Sequence, residues 1–175
     1  MAIRGEPKAH QLYLLRHADA EGDLYGLGDA SRGLSRNGRA QAREMAELLH
    51  RTRIELVLCS TATRAKETTA LLGLSAPVRH LPRLYNASSR QVLAELAAVD
   101  DSVHSVLVVG HAPGLPSLAY SLATPDSDTA ALALVRPVFP PATLVAMEFF
   151  GGWSNLSQAR VFTALLTQSS PGNLH

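Results

Sequence analysis

The sequence predicts an α/β protein, a three-layer α/β/α sandwich with a mostly parallel central sheet and an antiparallel edge. Three observations support this fold class. The chain has 175 residues, within the roughly 100–200 typical of one domain. Short apolar runs alternate with amphipathic stretches of helical period, and the last two apolar runs follow one another with no helix between them. We therefore expect a single domain over residues 1–175, with a loose N-terminus at residues 1–10.

The first half of the chain predicts two strands and two helices. In chain order these are the strand Gln11–Leu15, a helix from Ser35 to about Arg53, the strand Ile54–Cys59 and a helix over Thr63–Leu72. Both strands are apolar runs too short for a helix. Ser35 is suited to cap the first helix and Gly73 to end the second. Residues 18–33 hold four glycines among acidic residues, which predicts a loop.

The second half predicts a weak strand, two helices, the best-defined strand and a hairpin. In chain order these are Val78–Leu84, a helix from Ser88 to about Val99, Val103–Val109, a helix from Pro116 to about Ala123, and the hairpin strands Ala142–Phe150 and Ala159–Leu166. Ser88 and Gln91 have the spacing of a capping box. Proline suits the first turn of a helix. Gly151 and Gly152 separate the last two runs, which favours a hairpin.

Composition and charge exclude several classes of function. Sixteen Lys and Arg against fifteen Asp and Glu give a net charge of +1, so no polybasic field attracts nucleic acid or anionic lipid. Cys59 is the only cysteine, which excludes an intramolecular disulfide and a zinc site made of cysteines. No apolar run approaches ~18 residues, and the N-terminus lacks an apolar signal core. We therefore expect a cytoplasmic protein that binds neither nucleic acid nor membrane.

Basic and imidazole side chains follow three of the predicted strands. Arg16 and His17 follow the first strand, Arg64 comes shortly after the second, and His111 follows Val103–Val109. In open α/β sheets, ligands bind beyond the carboxyl ends of the strands. We therefore expect these four side chains to converge. Two cations, two imidazoles and nearby helix N-termini would form an anion site suited to a phosphoryl group.

Three motifs resemble those of the histidine phosphatase superfamily, which has the phosphoglycerate-mutase-like fold. They are Leu14-Leu15-Arg16-His17-Ala18, Ser60-Thr61-Ala62-Thr63-Arg64-Ala65-Lys66-Glu67-Thr68 and Val108-Val109-Gly110-His111. Ala18 stands where glycine is more usual in the family. The short chain, Leu84-Tyr85-Asn86-Ala87 and the absence of a large cap insertion are most similar to the SixA-type phosphohistidine phosphatases.

The resemblance implies a metal-independent phosphatase that needs no cofactor. His17 would be the nucleophile, phosphorylated on a ring nitrogen, and Arg16, Arg64 and His111 would bind the phosphoryl oxygens. Neutral imidazole is a good nucleophile near pH 7 because its ordinary pKa is ~6.5. Positioned arginines stabilise the charge on the oxygens of the transferred group. The implied substrate is phosphohistidine on a protein such as a phosphotransfer domain, and phosphate-like oxyanions would inhibit.

The general acid is left open by the sequence. Mutase and ester-phosphatase members of the family carry an acidic residue near the end of the third strand, where this chain has residues 82–86 and no carboxylate; SixA-type members also lack it. Asp19, Glu21 and Asp23 could protonate a leaving group, although a solvated acidic loop is the favoured interpretation. Arg32 is interpreted equally as a contact to phosphate or protein substrate and as a plain surface residue.

Glu67 and Ser60 both belong to the second motif. Glu67 is predicted to be solvated, and Ser60 to cap a helix or support the site, because no glycines flank Ser60 as in a hydrolase nucleophile elbow.

Three rival functions stay open. The first rival is a phosphatase of small phosphate esters. The second is a non-catalytic phosphoprotein-binding module, which would not need an intact His17. The third is a metal hydrolase, which the absence of metal-ligand spacing among the histidines disfavours.

Overall fold

The structure is a computed structural model that describes residues 8–135 and 139–167. Within these ranges the elements run β1 His10–Arg16, α1 Arg36–Leu49, β2 Leu56–Ser60, α2 Thr63–Leu72, β3 Val78–Leu81, α3 Ser89–Ala97, β4 Ser105–Gly110, α4 Gly114–Leu122, α5 Thr129–Val135, β5 Leu144–Phe149 and β6 Arg160–Leu165. Single 3-10 turns cover Asp29–Ser31, Pro82–Leu84 and Trp153–Asn155. Strands and helices therefore alternate as far as β4, as the sequence predicts, and two helices, α4 and α5, separate β4 from the final pair of strands.

The six strands form one sheet in the order β3-β2-β4-β1-β5-β6. The first four are mutually parallel, and β5 and β6 are antiparallel to their neighbours. The predicted mostly parallel sheet with an antiparallel edge is therefore confirmed. Because β1, β2, β3 and β4 point the same way, the chain leaves all four strands at the same edge of the sheet.

Helices cover both faces of the sheet, which confirms the three layers. Side chains alternate along a strand. Leu12 and Leu14 therefore pack in one core with α3, α4 and α5, while Tyr13 and Leu15 pack in the other with α1 and α2. Burying a leucine side chain contributes roughly 1.5–3 kcal/mol, so β1 is firmly fixed between the two cores. Trp153 is fully buried in the first core.

The helix ends show the predicted local chemistry. The Ser35 hydroxyl accepts a hydrogen bond from the Gly38 amide at 2.9 Å and caps α1. Ser88 and Gln91 form a complete capping box at the start of α3. Gly73 follows α2 with φ 61°, a left-handed conformation that glycine adopts without steric cost. These three ends are set by local sequence alone.

Several predicted boundaries differ from those of the structure. The third strand, predicted over Val78–Leu84 with a break at Pro82, ends at Leu81, because the chain turns into a 3-10 helix at Pro82. Helix α4 begins at Gly114, two residues before Pro116, and α1 ends at Leu49 rather than Arg53.

Helix α5 was not predicted at all; the Asp128 carboxylate accepts from the Ala131 amide at 2.7 Å in its first turn. Most of the predicted loose N-terminus, residues 1–7, lies outside the described residues, whereas His10 already belongs to β1 and is buried. None of the helices in the two described ranges has the length and apolar character needed to cross a membrane.

Gly38 allows close contact between α1 and the segment that follows β1. A Cβ atom at this position would lie 1.9 Å from the backbone carbonyl oxygen of Asp19. Alanine would gain roughly 1 kcal/mol of helix propensity over glycine, but such a clash with backbone costs more. We expect Gly38→Ala to destabilise the protein by about 1–3 kcal/mol net, measured by thermal or urea unfolding.

The matched control is Gly22→Ala, because a Cβ atom at Gly22 meets nothing within 4 Å. This control should leave the unfolding free energy within about 0.5 kcal/mol of the wild type. Equal stability of the Gly38→Ala and Gly22→Ala variants would contradict the close approach of α1 to Asp19.

Candidate active site

A cavity of about 200 Å³ opens at the carboxyl edge of the parallel strands. Ten residues line it: Arg16, His17, Asp19, Ala20, Arg32, Arg64, Asn86, His111, Ala112 and Pro141. The structure therefore brings together the four side chains that the sequence predicts to converge. Cavities of about 630 Å³ and 360 Å³ lie elsewhere, but neither holds two imidazoles beside arginines.

His17 lies directly after β1 and is only 8% exposed. Its Nδ1 lies 2.7 Å from the carbonyl oxygen of Ala18. A carbonyl only accepts hydrogen bonds, so Nδ1 carries the proton and Nε2 keeps its lone pair. The Ala18 amide donates to the Thr68 hydroxyl at 3.1 Å, which ties this segment to α2. The backbone therefore fixes both the tautomer and the place of the ring.

Arg64 lies in the first turn of α2 with its guanidinium almost fully buried. Its Nε donates to His17 Nε2 at 3.1 Å. The two outer nitrogens are held by Asp29, Nη1 by the backbone carbonyl at 2.7 Å and Nη2 by carboxylate Oδ2 at 2.9 Å. The guanidinium therefore lies between His17 and Asp29, with its Nε–H directed at the imidazole and its two outer nitrogens directed at Asp29.

His111 follows β4 and faces His17, with ring centroids 5.1 Å apart and the rings inclined by 61°. Its Nε2 lies 2.8 Å from the Ser60 hydroxyl, and the same hydroxyl accepts from the Ala62 amide at 3.3 Å. Ser60 therefore supports the imidazole, in agreement with its predicted role. The ring of Tyr85 stands edge-on to His111 at 5.7 Å.

Two nitrogens that line this cavity are buried without a hydrogen-bond partner among the described residues. They are Nε of Arg16 and Nδ1 of His111. The other end of the Arg16 guanidinium donates through Nη1 to the Phe139 carbonyl at 2.5 Å, which holds the side chain in place. Buried polar groups are almost always paired in proteins. These two nitrogens are therefore suited to contact the oxygens of an anionic ligand.

Burial and neighbouring cations keep both imidazoles neutral. Burial lowers the pKa of His17 to about 4, assisted by Arg64 and Arg16 and opposed by the Ala18 carbonyl. Burial also lowers the pKa of His111 to about 3, assisted by His17 and Arg64. At neutral pH His17 Nε2 therefore carries no proton.

Of the four further candidates from the sequence, two line the cavity and two do not. Arg32 lines the cavity and is held by the Glu21 carbonyl at 2.6 Å and the Asp29 carboxylate at 2.9 Å. Asp19 also lines the cavity, and its carboxylate accepts from the Ser35 hydroxyl at 2.5 Å. Glu21 and Asp23 do not line it. The Asp23 carboxylate instead accepts from two backbone amides of its own loop.

Two residues near the site differ from the sequence-based interpretation. Glu67 was predicted to be solvated, but its carboxylate accepts from the Leu34 amide at 2.7 Å and lies 3.5 Å from Arg39. It therefore ties the loop before α1 to α2. Asp29 was not singled out, because it lies in an exposed glycine-rich loop. The only signal was its place three residues before Arg32, the spacing of their ion pair.

Within residues 8–135 and 139–167, no group of three or more His, Cys, Asp or Glu side chains is arranged to hold a metal ion. The positive charge around the cavity comes from three arginines, Arg16, Arg32 and Arg64. Two carboxylates, Asp19 and Asp29, lie beside them.

The chain is similar to known proteins over most of its length. Residues 12–90 match the family described as the histidine phosphatase superfamily (branch 1). A Nakamurella multipartitia protein assigned as phosphohistidine phosphatase SixA superposes with TM-score 0.83 and 32% identity, over 93% of this chain and 99% of that one. The protein histidine phosphatase SixA complexed with tungstate gives TM-score 0.72 and 26% identity, over 89% and 96%. An uncharacterised protein of Mycobacterium tuberculosis is 36% identical over 134 residues, 75% of this chain and 85% of its own.

The depressed pKa values lead to a test by NMR titration. Neither His17 nor His111 should show an imidazole titration above about pH 5, because both remain neutral until about pH 4 and about pH 3. In the unfolded chain both would bind a proton below about pH 6.5. Their contribution to stability is therefore complete above that pH and is lost as the pH falls toward the folded-state values. A transition of either ring near its ordinary pKa would contradict the buried, neutral pair.

Proposed function

The chain belongs to the histidine phosphatase superfamily and is SixA-like in structure, and from this premise we propose that it dephosphorylates phosphohistidine on a protein through a phosphorylated His17. The observation that carries the proposal is the His17 ring itself. His17 lines the cavity, its unprotonated Nε2 accepts a hydrogen bond from Arg64 Nε at 3.1 Å, and the Ala18 carbonyl holds the proton on Nδ1. This is the arrangement that an imidazole nucleophile needs.

In the first step, the Nε2 lone pair of His17 forms a bond to phosphorus as the phosphorus–nitrogen bond of the substrate breaks. The bonding electrons go to the ring nitrogen of the substrate, which leaves as imidazole. The ring of His17 becomes positively charged, and the Nδ1–H bond to the Ala18 carbonyl stabilises that charge. As Nε2 bonds to phosphorus it loses its hydrogen bond from Arg64, and the Arg64 Nε–H, still held in place by Asp29, would donate to an oxygen of the bound phosphoryl group instead.

In the second step, water attacks phosphorus and the His17 Nε2–phosphorus bond breaks. The electron pair returns to Nε2, the water proton leaves with inorganic phosphate or to solvent, and neutral His17 is restored. Arg16 and His111 have buried nitrogens without partners in the part of the chain that the structure describes, and these would bind the equatorial oxygens in both steps. The chain's own guanidinium groups would supply the positive charge, so we propose that the reaction needs no metal.

The lack of a carboxylate in residues 82–86 favours phosphohistidine as the substrate. Residues 82–86 place no carboxylate at the cavity; Asn86, with φ 47°, lines it instead. Hydrogen bonds from Tyr85, Arg32 and Arg64 hold the pKa of Asp29 well below its usual range, so Asp29 is no proton donor. An alkyl phosphate would have to expel an alkoxide unassisted. Protonated phosphohistidine expels neutral imidazole, whose conjugate acid has a pKa of ~6.5.

The surroundings of the cavity support a protein substrate. The loop beside it exposes three large apolar side chains, Leu24, Tyr25 and Leu27, each more than 70% exposed. This loop encloses a small cavity that shares Arg32 with the catalytic cavity. Clustered exposed apolar side chains are typical of interaction surfaces. A phosphohistidine side chain is short, so the surface of a protein that carries it would reach this loop.

One observation favours the rival phosphatase of small phosphate esters. Asp19 lines the cavity, and a carboxyl group there could protonate an ester oxygen. The rival binding module gains no such support, because His17, which binding alone would not need, is intact and lines the cavity.

Replacement of the nucleophile tests the covalent step. We expect His17→Ala to lose at least about 99% of turnover, because an enzyme without its nucleophile is slower by orders of magnitude. The exposed His50→Ala variant is the control and should retain full activity, as should the wild type in EDTA. Wild-type enzyme quenched during turnover without acid should carry phosphate on His17. Substantial turnover by His17→Ala, or activity that depends on added metal, would contradict the mechanism.

A series of leaving groups tests the substrate class. We expect kcat/KM to fall in the order phosphohistidine protein, activated aryl phosphate, alkyl phosphate, with a steep dependence on leaving-group pKa, because the proposed reaction uses no general acid. The same series with Asp19→Asn examines the one carboxylate that lines the cavity. A flat dependence in the wild type that becomes steep in Asp19→Asn would identify Asp19 as the acid and favour the small-ester phosphatase.

A further inference from the structure

Asp29 lies in an exposed loop and accepts four hydrogen bonds from side chains. Carboxylate Oδ2 accepts from Arg64 Nη2 at 2.9 Å and from the Tyr85 hydroxyl at 2.6 Å. Oδ1 accepts from Arg32 Nη1 at 2.9 Å. The backbone carbonyl accepts from Arg64 Nη1 at 2.7 Å. Donors from three separate segments of the chain therefore meet on one residue.

The charge on Asp29 is permanent over the working pH range. The hydroxyl of Tyr85 and the guanidinium groups of Arg32 and Arg64 hold the pKa of Asp29 well below its usual range. The hydrogen bond to Asp29 in turn raises the pKa of Tyr85, so the phenol keeps its proton and continues to donate. Asp29 is therefore a fixed acceptor that is always ionised.

The contacts of Asp29 determine how Arg64 is presented to His17. A guanidinium is planar, so two hydrogen bonds to its outer nitrogens fix both its plane and its direction. With Nη1 and Nη2 held by Asp29, only Nε–H points to His17 Nε2. That N–H is the donor that would meet an oxygen of the phosphoryl group on Nε2. A free arginine side chain would lose its conformational freedom during the reaction instead of before it.

We infer that Asp29 is a positioning residue for the phosphatase reaction. It holds Arg64 with the Nε–H directed at His17, and Tyr85 and Arg32 in turn fix the carboxylate of Asp29. The inference rests on the proposed role of Arg64 at the phosphoryl group. The orientation of Arg64 would then depend on a loop residue that does not itself line the catalytic cavity.

The experiment uses hydrolysis of an activated aryl phosphate, so that it does not depend on the identity of the protein substrate. We expect Asp29→Ala to lower kcat/KM by about 10- to 100-fold, the scale at which partners of a functional side chain act. The inhibition constant of tungstate should rise in parallel. Asp29→Glu, which restores the charge on a longer side chain, should recover part of the loss.

A double-mutant cycle separates positioning of Arg64 from general support of the loop. If Asp29 acts through Arg64, adding Asp29→Ala to Arg64→Ala should change kcat/KM by less than about twofold, because coupled residues are not additive. Where Arg64→Ala leaves too little turnover, tungstate binding by calorimetry gives the same cycle. The matched control is Ser31→Ala, which removes a 2.7 Å hydrogen bond to Gly28 in the same 3-10 turn and should leave kcat/KM unchanged.

Three outcomes would overturn the inference. They are a full additive loss in the Arg64→Ala background, an equal loss in Ser31→Ala, and unchanged turnover in Asp29→Ala. Failure of the proposed function would look different: His17→Ala would retain activity, or the wild type would not act on a phosphohistidine protein, whatever the behaviour of the Asp29 variants.

Discussion

The place of β1 in the middle of the sheet is the constraint on which the catalytic edge depends. Its register with β4 sets Arg16 level with Gly110, and the His17 amide donates to the Gly110 carbonyl at 2.9 Å. On the other side, the Ala142 amide donates to the carbonyls of Arg16 and His17. A slip of one residue would turn every β1 side chain toward the opposite core. The packing of both cores therefore sets the distance between the two imidazoles.

The same burial that places the imidazoles also keeps them reactive. A charged imidazole would have to lose its hydration beside arginines, so both rings stay neutral. The arginines are stabilised by acceptors behind them: Phe139 for Arg16, and Asp29 for Arg64 and Arg32. Each of these acceptors contacts an outer nitrogen of a guanidinium group. The negative charge of Asp29 therefore stabilises Arg64 and Arg32, two of the three arginines that line the cavity.

Residues at strand ends could be predicted from the sequence, whereas Asp29, which a loop brings to the site, could not. Arg16, His17, Arg64 and His111 follow strands or begin a helix, and the topology of a parallel sheet takes all such positions to one edge. Asp29 reaches the site from a loop whose path depends on contacts far along the chain, such as that between Glu67 and the Leu34 amide. Helix α5 was missed for a similar reason, because its first turn is held by Asp128, whose amide bonds to Val161 of β6.

This division has a consequence for how the site works. His17 and His111 follow strands that are buried on both faces, so the sheet fixes their places. The direction of Arg64 depends on Asp29, whose side chain is 44% exposed in a loop that also presents Leu24, Tyr25 and Leu27 to solvent. In the proposed reaction, contact of a partner protein with this loop would therefore act on Arg64 and not on His17. Changes in the loop should then alter how well Arg64 stabilises the transition state, while the sheet keeps His17 Nε2 as the proposed attacking atom.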